Sequence, residues 1–340
     1  MQTRPDQGKR VVAIDIARGL AIIGMFVAHA VPRAGDAELL VDGRSSILFA
    51  TLAGISLGIM TGSAHPLGWG QRSDRVFGIM VRALFLFLLG LVLSSLHSGI
   101  AIILHFYALM FLLLLPLLFL RRWLLGLIGV AFLLGAPMLG AAQADVNVDQ
   151  PELGYFVDYF FLNGTYPVLI WMPFLLAGLI VARSDLRRVK TQVALVGVGA
   201  SATVAGYGAA IVLSGVSAEA HSGSIAEVIG SGGLAIALIG ALLWLTAVNR
   251  GRLGRAVRGI LSPVAATGSM ALTVYTLQIM VLAIVVAGGR EVDYPGWPLL
   301  TWMLLLTFIL TSLWHYFLGK GPLERLLTAL TRGSRKSRLS

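Results

Sequence analysis

Long apolar runs separated by short polar segments constrain this chain more than any other feature. About 20 mainly apolar residues suffice to cross the hydrocarbon of a bilayer. On that basis the sequence has spans at about 11–31, 45–64, 76–96, 100–120, 123–141, 166–182, 191–214, 225–248, 263–288 and 297–318. The expected fold is an all-α polytopic bundle of about ten transmembrane helices. Composition agrees: 57% of the 340 residues are hydrophobic and 12% charged, against about 25% charged in a soluble domain. The 40 glycines suit helices that pack closely in lipid.

Charge orients the bundle. With a cytoplasmic N-terminus, the inner segments hold 21 of the 26 Lys and Arg residues, and the outer loops only Arg33, Arg44 and Arg290. This asymmetry predicts both termini inside and an even number of spans. The expected organisation is an inner segment 1–10, a membrane domain 11–318 and a basic inner tail 319–340, in a bacterial plasma membrane. No cleavable signal peptide is evident, because the first apolar run is long and lacks a clear small-residue cleavage site. The outer loop at about 142–165 is acidic, with Asp145, Asp149, Glu152 and Asp158. It also carries the aromatic stretch "YFVDYFFLNGTYP", read as an interfacial belt or a lid. The tail reads as a short amphipathic helix followed by disorder, with lipid headgroups as its partner. The net charge of +10 accompanies no nucleic-acid-binding module, so no nucleic-acid partner is expected. The absence of cysteine excludes disulfides, thiolate metal sites and a cysteine nucleophile. The six histidines are dispersed, and no metal site is expected. "GSGG" (230–233) lies inside a span and reads as close helix packing, not a phosphate loop.

The first span, "IDIARGLAIIGMFVAHA" (14–30), carries Asp15, Arg18 and His29. Ionisable groups in a span are costly and face the bundle interior. Arg18 and His29 lie eleven residues apart, about three turns plus 20°, hence on one face and roughly 16 Å apart along the axis. Asp15 lies three residues before Arg18 and can pair with it. One stripe thus has an ion pair at its inner end and an imidazole at its outer end. A buried pair can be scaffolding, so residue chemistry alone leaves structural and functional roles open.

"IDIARG", with ten residues between Arg18 and His29, resembles the first-helix signature of acyltransferase family 3. "DGRSSILFATLAGIS" (42–56) is similar to the second-helix run of that family. Across nearly its full length the chain also resembles the heparan-alpha-glucosaminide N-acetyltransferase-like proteins of the membrane-bound acyltransferase superfamily and a related bacterial membrane family. The stretches that carry this are "RGLAIIGMF" (18–26), "SILFATLAGISLGIMTG" (46–62), "NGTYPVLIWMPFLLAGL" (163–179), "ATGSMALTVYTLQ" (266–278) and "GPLERL" (321–326). The lysosomal-type enzymes place a His before a Trp-Asn-Gly motif in the first outer loop. This chain has neither, so His29 is the substitute and the lysosomal substrate is not carried over.

The resemblance implies transfer of an acyl group, commonly acetyl, from cytoplasmic acyl-coenzyme A to a glycan, glycolipid or small polar acceptor at the outer face. Arg18 would meet the anionic part of the donor, oriented by Asp15. His29 would act as general base or acyl carrier, two roles the sequence does not separate. Arg82 either reaches lipid phosphate or binds coenzyme A phosphate. His105 is a packing residue or lines the donor conduit. Asp42 is expected to N-cap the second span or, with Arg44, to engage the acceptor. Glu227 caps the eighth span or partners His29 as acid or base, and His221 beside it faces the same mouth. Tyr275 and Gln278 share one face of the ninth span and either join helices or line the site. The alternative reading is a proton-coupled transporter or lipid-handling protein using the same stripe, although the sequence shows no clear repeat or broken helix. Acceptor, acyl length and homo-oligomerisation stay open at this level.

Overall fold

A computed structural model describes residues 11–31, 38–144, 152–289 and 296–336. The expected N-terminal segment 1–10, Arg33, Asp145, Asp149, Arg290 and residues 337–340 of the tail lie outside them. Among the described residues the chain is helical, without strands. In order the helices are α1 (Val12–Ala30), α2 (Arg44–Met60), α3 (Trp69–Ser94), α4 (Leu104–Leu114), α5 (Arg122–Ala144), α6 (Glu152–Val157), α7 (Val168–Ala182), α8 (Val189–Val212), α9 (Ile225–Leu245), α10 (Gly251–Ile260), α11 (Ser262–Ser269), α12 (Ala271–Ala287), α13 (Trp297–Leu318) and α14 (Pro322–Lys336).

Each expected run holds a helix, but not each a full span. By length and composition α1, α3, α5, α8, α9 and α13 can cross a membrane, and the bent pair α11 and α12 is either a broken seventh span or a re-entrant loop. α2, α4 and α7 are shorter apolar helices. The shortening of α4 has a local cause. Pro116 lacks the N–H that would continue the ladder, and the chain tightens into a 3-10 turn at Leu115–Leu117. The ninth run is not one helix: α11 and α12 meet at a bend of 83°. The aromatic stretch after α5 is also helical, as α6 followed by a π-helical turn at Asp158–Leu162.

Burial sorts the helices. α1 and α9 are largely enclosed, whereas α8 and α13 expose most of their surface. Trp302, Leu305, Ile309 and Leu310 of α13 face outward, as expected where the surroundings are acyl chains. The enclosed helices meet backbone to backbone. A methyl on Gly178 of α7 would strike the carbonyl of Thr51 in α2, and one on Gly268 of α11 would strike the carbonyl of Asp15 in α1. Small residues at such contacts bring helices within hydrogen-bonding reach of one another's side chains.

A buried cation ties one end of the bundle. Arg183, directly after α7, is 4% exposed. Its guanidinium donates to the carbonyls of Gly58, Ser63 and Leu118 and to the hydroxyl of Thr61. These acceptors are end groups of α2 and of the α4 turn, where carbonyls lack helical partners and the helix dipole is negative. Burial pulls the Arg183 pKa down to about 10, so it stays charged at neutral pH. Three chain segments are thus closed by one side chain.

Candidate active site

Because α1 is a single helix, its two charged ends lie at opposite ends of the bundle. At its start, Arg18 pairs with Asp15 at 3.1 Å and donates to the Ser56 hydroxyl at 2.7 Å. Asp15 is buried, and about a quarter of the Arg18 side chain stays exposed. Arg82 of α3 lies within electrostatic reach of Arg18 and of Glu324. Its Nε is buried without a hydrogen-bond partner. Two guanidiniums, Arg18 and Arg82, and two carboxylates, Asp15 and Glu324, gather at this end, and the planar guanidinium fork is the group that could meet a phosphate-bearing ligand.

Glu324 organises the same end. From α14 its carboxylate accepts the backbone N–H of Leu272 at 2.8 Å and of Thr273 at 3.1 Å, and the Thr273 hydroxyl at 2.6 Å. These are free donors at the start of α12. The residue quoted above within "GPLERL" is therefore the cap that lets α12 begin afresh after the bend.

At the other end of α1, His29 lines a cavity of about 210 Å³. Asp42, Ser46, Tyr166 and His221 share its wall. The volume is below that of a typical whole-ligand pocket and suits the reacting end of a larger molecule. His29 Nδ1 lies 2.8 Å from the amide Nε2 of Gln278, so α12 reaches α1 here. The Gln278 Oε1 is buried without a partner. One turn earlier the Tyr275 hydroxyl accepts the backbone N–H of Ile103. The Tyr107 hydroxyl of α4 donates to the Ser46 carbonyl. Tyr107, Tyr166 and Tyr275 are within electrostatic reach of one another, and of these three buried tyrosines Tyr166 lines the cavity.

Several expected site residues are committed to the frame of this mouth. Arg44 donates to the Tyr207 hydroxyl, the Glu38 carboxylate and the carbonyls of Asp42 and Ala218. Glu38 in turn accepts the Ala220 N–H. Arg44 therefore fastens the first loop to the turn before α9. Asp42 does not cap α2. Its carboxylate accepts the Leu39 N–H at 2.8 Å and closes a turn, and Gly43 occupies the cap position without a side-chain bond. Glu227 follows the capping reading: Ser224 Oγ accepts the Glu227 N–H. The carboxylate takes the N–H groups of His221 and Gly223 and the Ser222 hydroxyl.

His221 holds a left-handed φ of 62°, and its ring meets Tyr166 edge-on and Trp171 face-on. It borders the first cavity and a second of about 120 Å³ lined by Asn163, Thr165 and Trp171. His105 lies in neither cavity. It packs on Phe106 and Phe160 and against Gly90, the packing role. Ser46, Tyr107, Tyr166 and Glu324 were not singled out in the sequence. Tyr166 was visible only as one more ring of an aromatic belt.

A family model described as an acyltransferase domain, type 3, matches residues 100–316, more than half the chain. The chain belongs to acyltransferase family 3. The matched residues run from just before α4 into α13 and include Gln278, Tyr275, Tyr166, His221 and Glu227. They begin after α3, so the family match does not reach Asp15, Arg18 or His29. No curated protein matches the chain, and no solved structure does. Family membership and several apolar helices make this a multi-pass membrane protein of the acyltransferase kind.

Proposed function

We propose that the protein transfers an acyl group, in the simplest case acetyl, from cytoplasmic acyl-coenzyme A to a hydroxyl or amine of a glycan, glycolipid or small polar acceptor at the outer face. The observation that carries this reading is α1: a partly exposed guanidinium at Arg18 and a cavity-lining imidazole about 16 Å further along one helix. The charge partition of the sequence supports the orientation with both termini inside a plasma membrane.

In this reading Arg18 and Arg82 hold donor phosphate while the thioester reaches His29. The imidazole takes the proton from the acceptor O–H or N–H as that atom bonds to the acyl carbon. The carbon–sulfur bond breaks, and the thiolate leaves with the proton from His29. In the two-step variant His29 itself first takes the acyl group. Asp42, Tyr166 and His221 border the space left to the acceptor. No metal takes part in either route.

His29→Ala tests this. Purified in detergent, the variant should run as a monodisperse peak and lose transfer of radiolabelled acyl groups by at least about 100-fold. Full turnover would remove His29 from the chemistry.

One observation favours a second reading, a transporter or lipid-handling protein. Discontinuous helices line ion and substrate paths in transporters, and α11–α12 is such a helix. Proteoliposomes separate the two. Acyl-coenzyme A hydrolysis or transfer without proton flux supports the enzyme, and proton-driven uptake without transfer supports the transporter.

A further inference from the structure

The contact between His29 and Gln278 has a chemical consequence that neither the fold nor the family supplies. Gln278 is 2% exposed, on a helix restarted by the Glu324 cap, and its amide meets Nδ1 at 2.8 Å. With Nε2 of the amide facing the ring, Nδ1 must be the acceptor, so a neutral His29 carries its proton on its own Nε2. That tautomer has no lone pair there to take a proton. The imidazolium formed during transfer has a proton on both nitrogens, and an amide N–H would then face another N–H. Turning the amide by 180° removes both conflicts at the ring and puts the amide N–H groups at the buried position. Oε1 then accepts from Nδ1–H in the neutral and in the charged ring alike. The amide nitrogen takes the place now held by the buried, unpartnered oxygen.

We propose that Gln278 is the positioning residue of His29: its amide oxygen accepts from Nδ1–H and leaves the other ring nitrogen as the base. This deepens the reading of His29 as the proton acceptor and rests on it. A neutral amide also differs in kind from a carboxylate at the same place. A carboxylate would stabilise the imidazolium and hold the ring protonated at neutral pH. The amide fixes the tautomer without that charge. Other titratable groups face this ring. Glu38, Asp42, Tyr166 and His221 share its cavity, and Tyr275 lies one turn away on α12. Arg44 of α2 and Glu227 of α9 frame the mouth behind them. All of these are unchanged when Gln278 alone is varied.

Two variants and one spectroscopic measurement test the proposal. Gln278→Leu should lower kcat by roughly 10- to 100-fold with little change in donor or acceptor KM, because ground-state contacts stay. Gln278→Glu should move the acidic limb of the kcat/KM profile upward by about one pH unit or more. An unmoved limb in a monodisperse Gln278→Glu preparation overturns the proposal, as does wild-type kcat in Gln278→Leu. The tautomer is read without turnover from 15N spectra of histidine-labelled protein, with His29→Ala supplying the assignment. A protonated Nδ1 in the wild type that is lost in Gln278→Leu supports the proposal, and an unprotonated Nδ1 in the neutral wild-type ring overturns it. The spectra decide this point even if the protein proves to transfer nothing, whereas absent acyl transfer by the wild type would overturn the enzymatic reading alone.

Discussion

At the scale of single residues, the N-terminal end of α1 makes a clear demand. Arg18 is held by Asp15 and Ser56, so its direction depends on both. Asp15→Asn keeps the shape and removes the charge. The donor KM should rise about 5- to 10-fold, roughly 1 to 1.4 kcal/mol, with kcat nearly constant; steady-state kinetics with varied acyl-coenzyme A measure it. Arg183 makes a different demand. Arg183→Met removes the donor to the Ser63 and Leu118 carbonyls in a buried place and should cost about 3 kcal/mol, read as a lowered Tm in detergent. The two arginines also show what a sequence discloses. Arg18 stood out because eleven residues return to the same helix face as His29. Arg183 looked like one more positive charge at an inner loop, since its acceptors are backbone carbonyls of distant segments, which have no letter in the sequence. Gln278 reads in the sequence as a polar residue that shares a face with Tyr275 and joins helices or lines the site, but its partner, 249 positions away, is not legible there.

At the scale of elements, apolar runs predict that a helix forms but not where it ends. The expected fourth span stops early because Pro116 interrupts the ladder, and the expected ninth breaks at Met270 where α12 restarts under Glu324. That cap comes from α14, which the sequence marks only as a basic amphipathic tail. Glu324→Gln keeps one acceptor but loses the charge that the start of α12 favours. Backbone amides around Leu272–Val274 should exchange hydrogen about 5- to 10-fold faster, for a loss of about 1 kcal/mol, while α9 stays unchanged. Because Gln278 lies on the same helix, the variant should also slow acyl transfer; normal transfer with faster exchange would uncouple the tail from the site.

At the scale of the whole molecule, the site draws on α1, α2, α4, α9, α12 and the turn before α7, so no contiguous piece of the chain contains it. The side assignment is testable because the sequence has no cysteine. Ser214→Cys, between α8 and α9, should react with a membrane-impermeant maleimide from outside intact cells. Arg187→Cys, between α7 and α8, should react only after the membrane is opened; the reverse pattern inverts the topology. The unbroken course of α1 has a last consequence, for donor selection. A continuous helix is a rigid rod with a fixed distance between its ends, so under the proposed function it would serve as a gauge of the donor's arm. A thioester whose arm is too short to span from Arg18 to His29 can seat its phosphate or present its carbonyl, but not both. Such shortened donors should bind with near-normal affinity and turn over slowly, selected by reach and not by recognition of the acyl group.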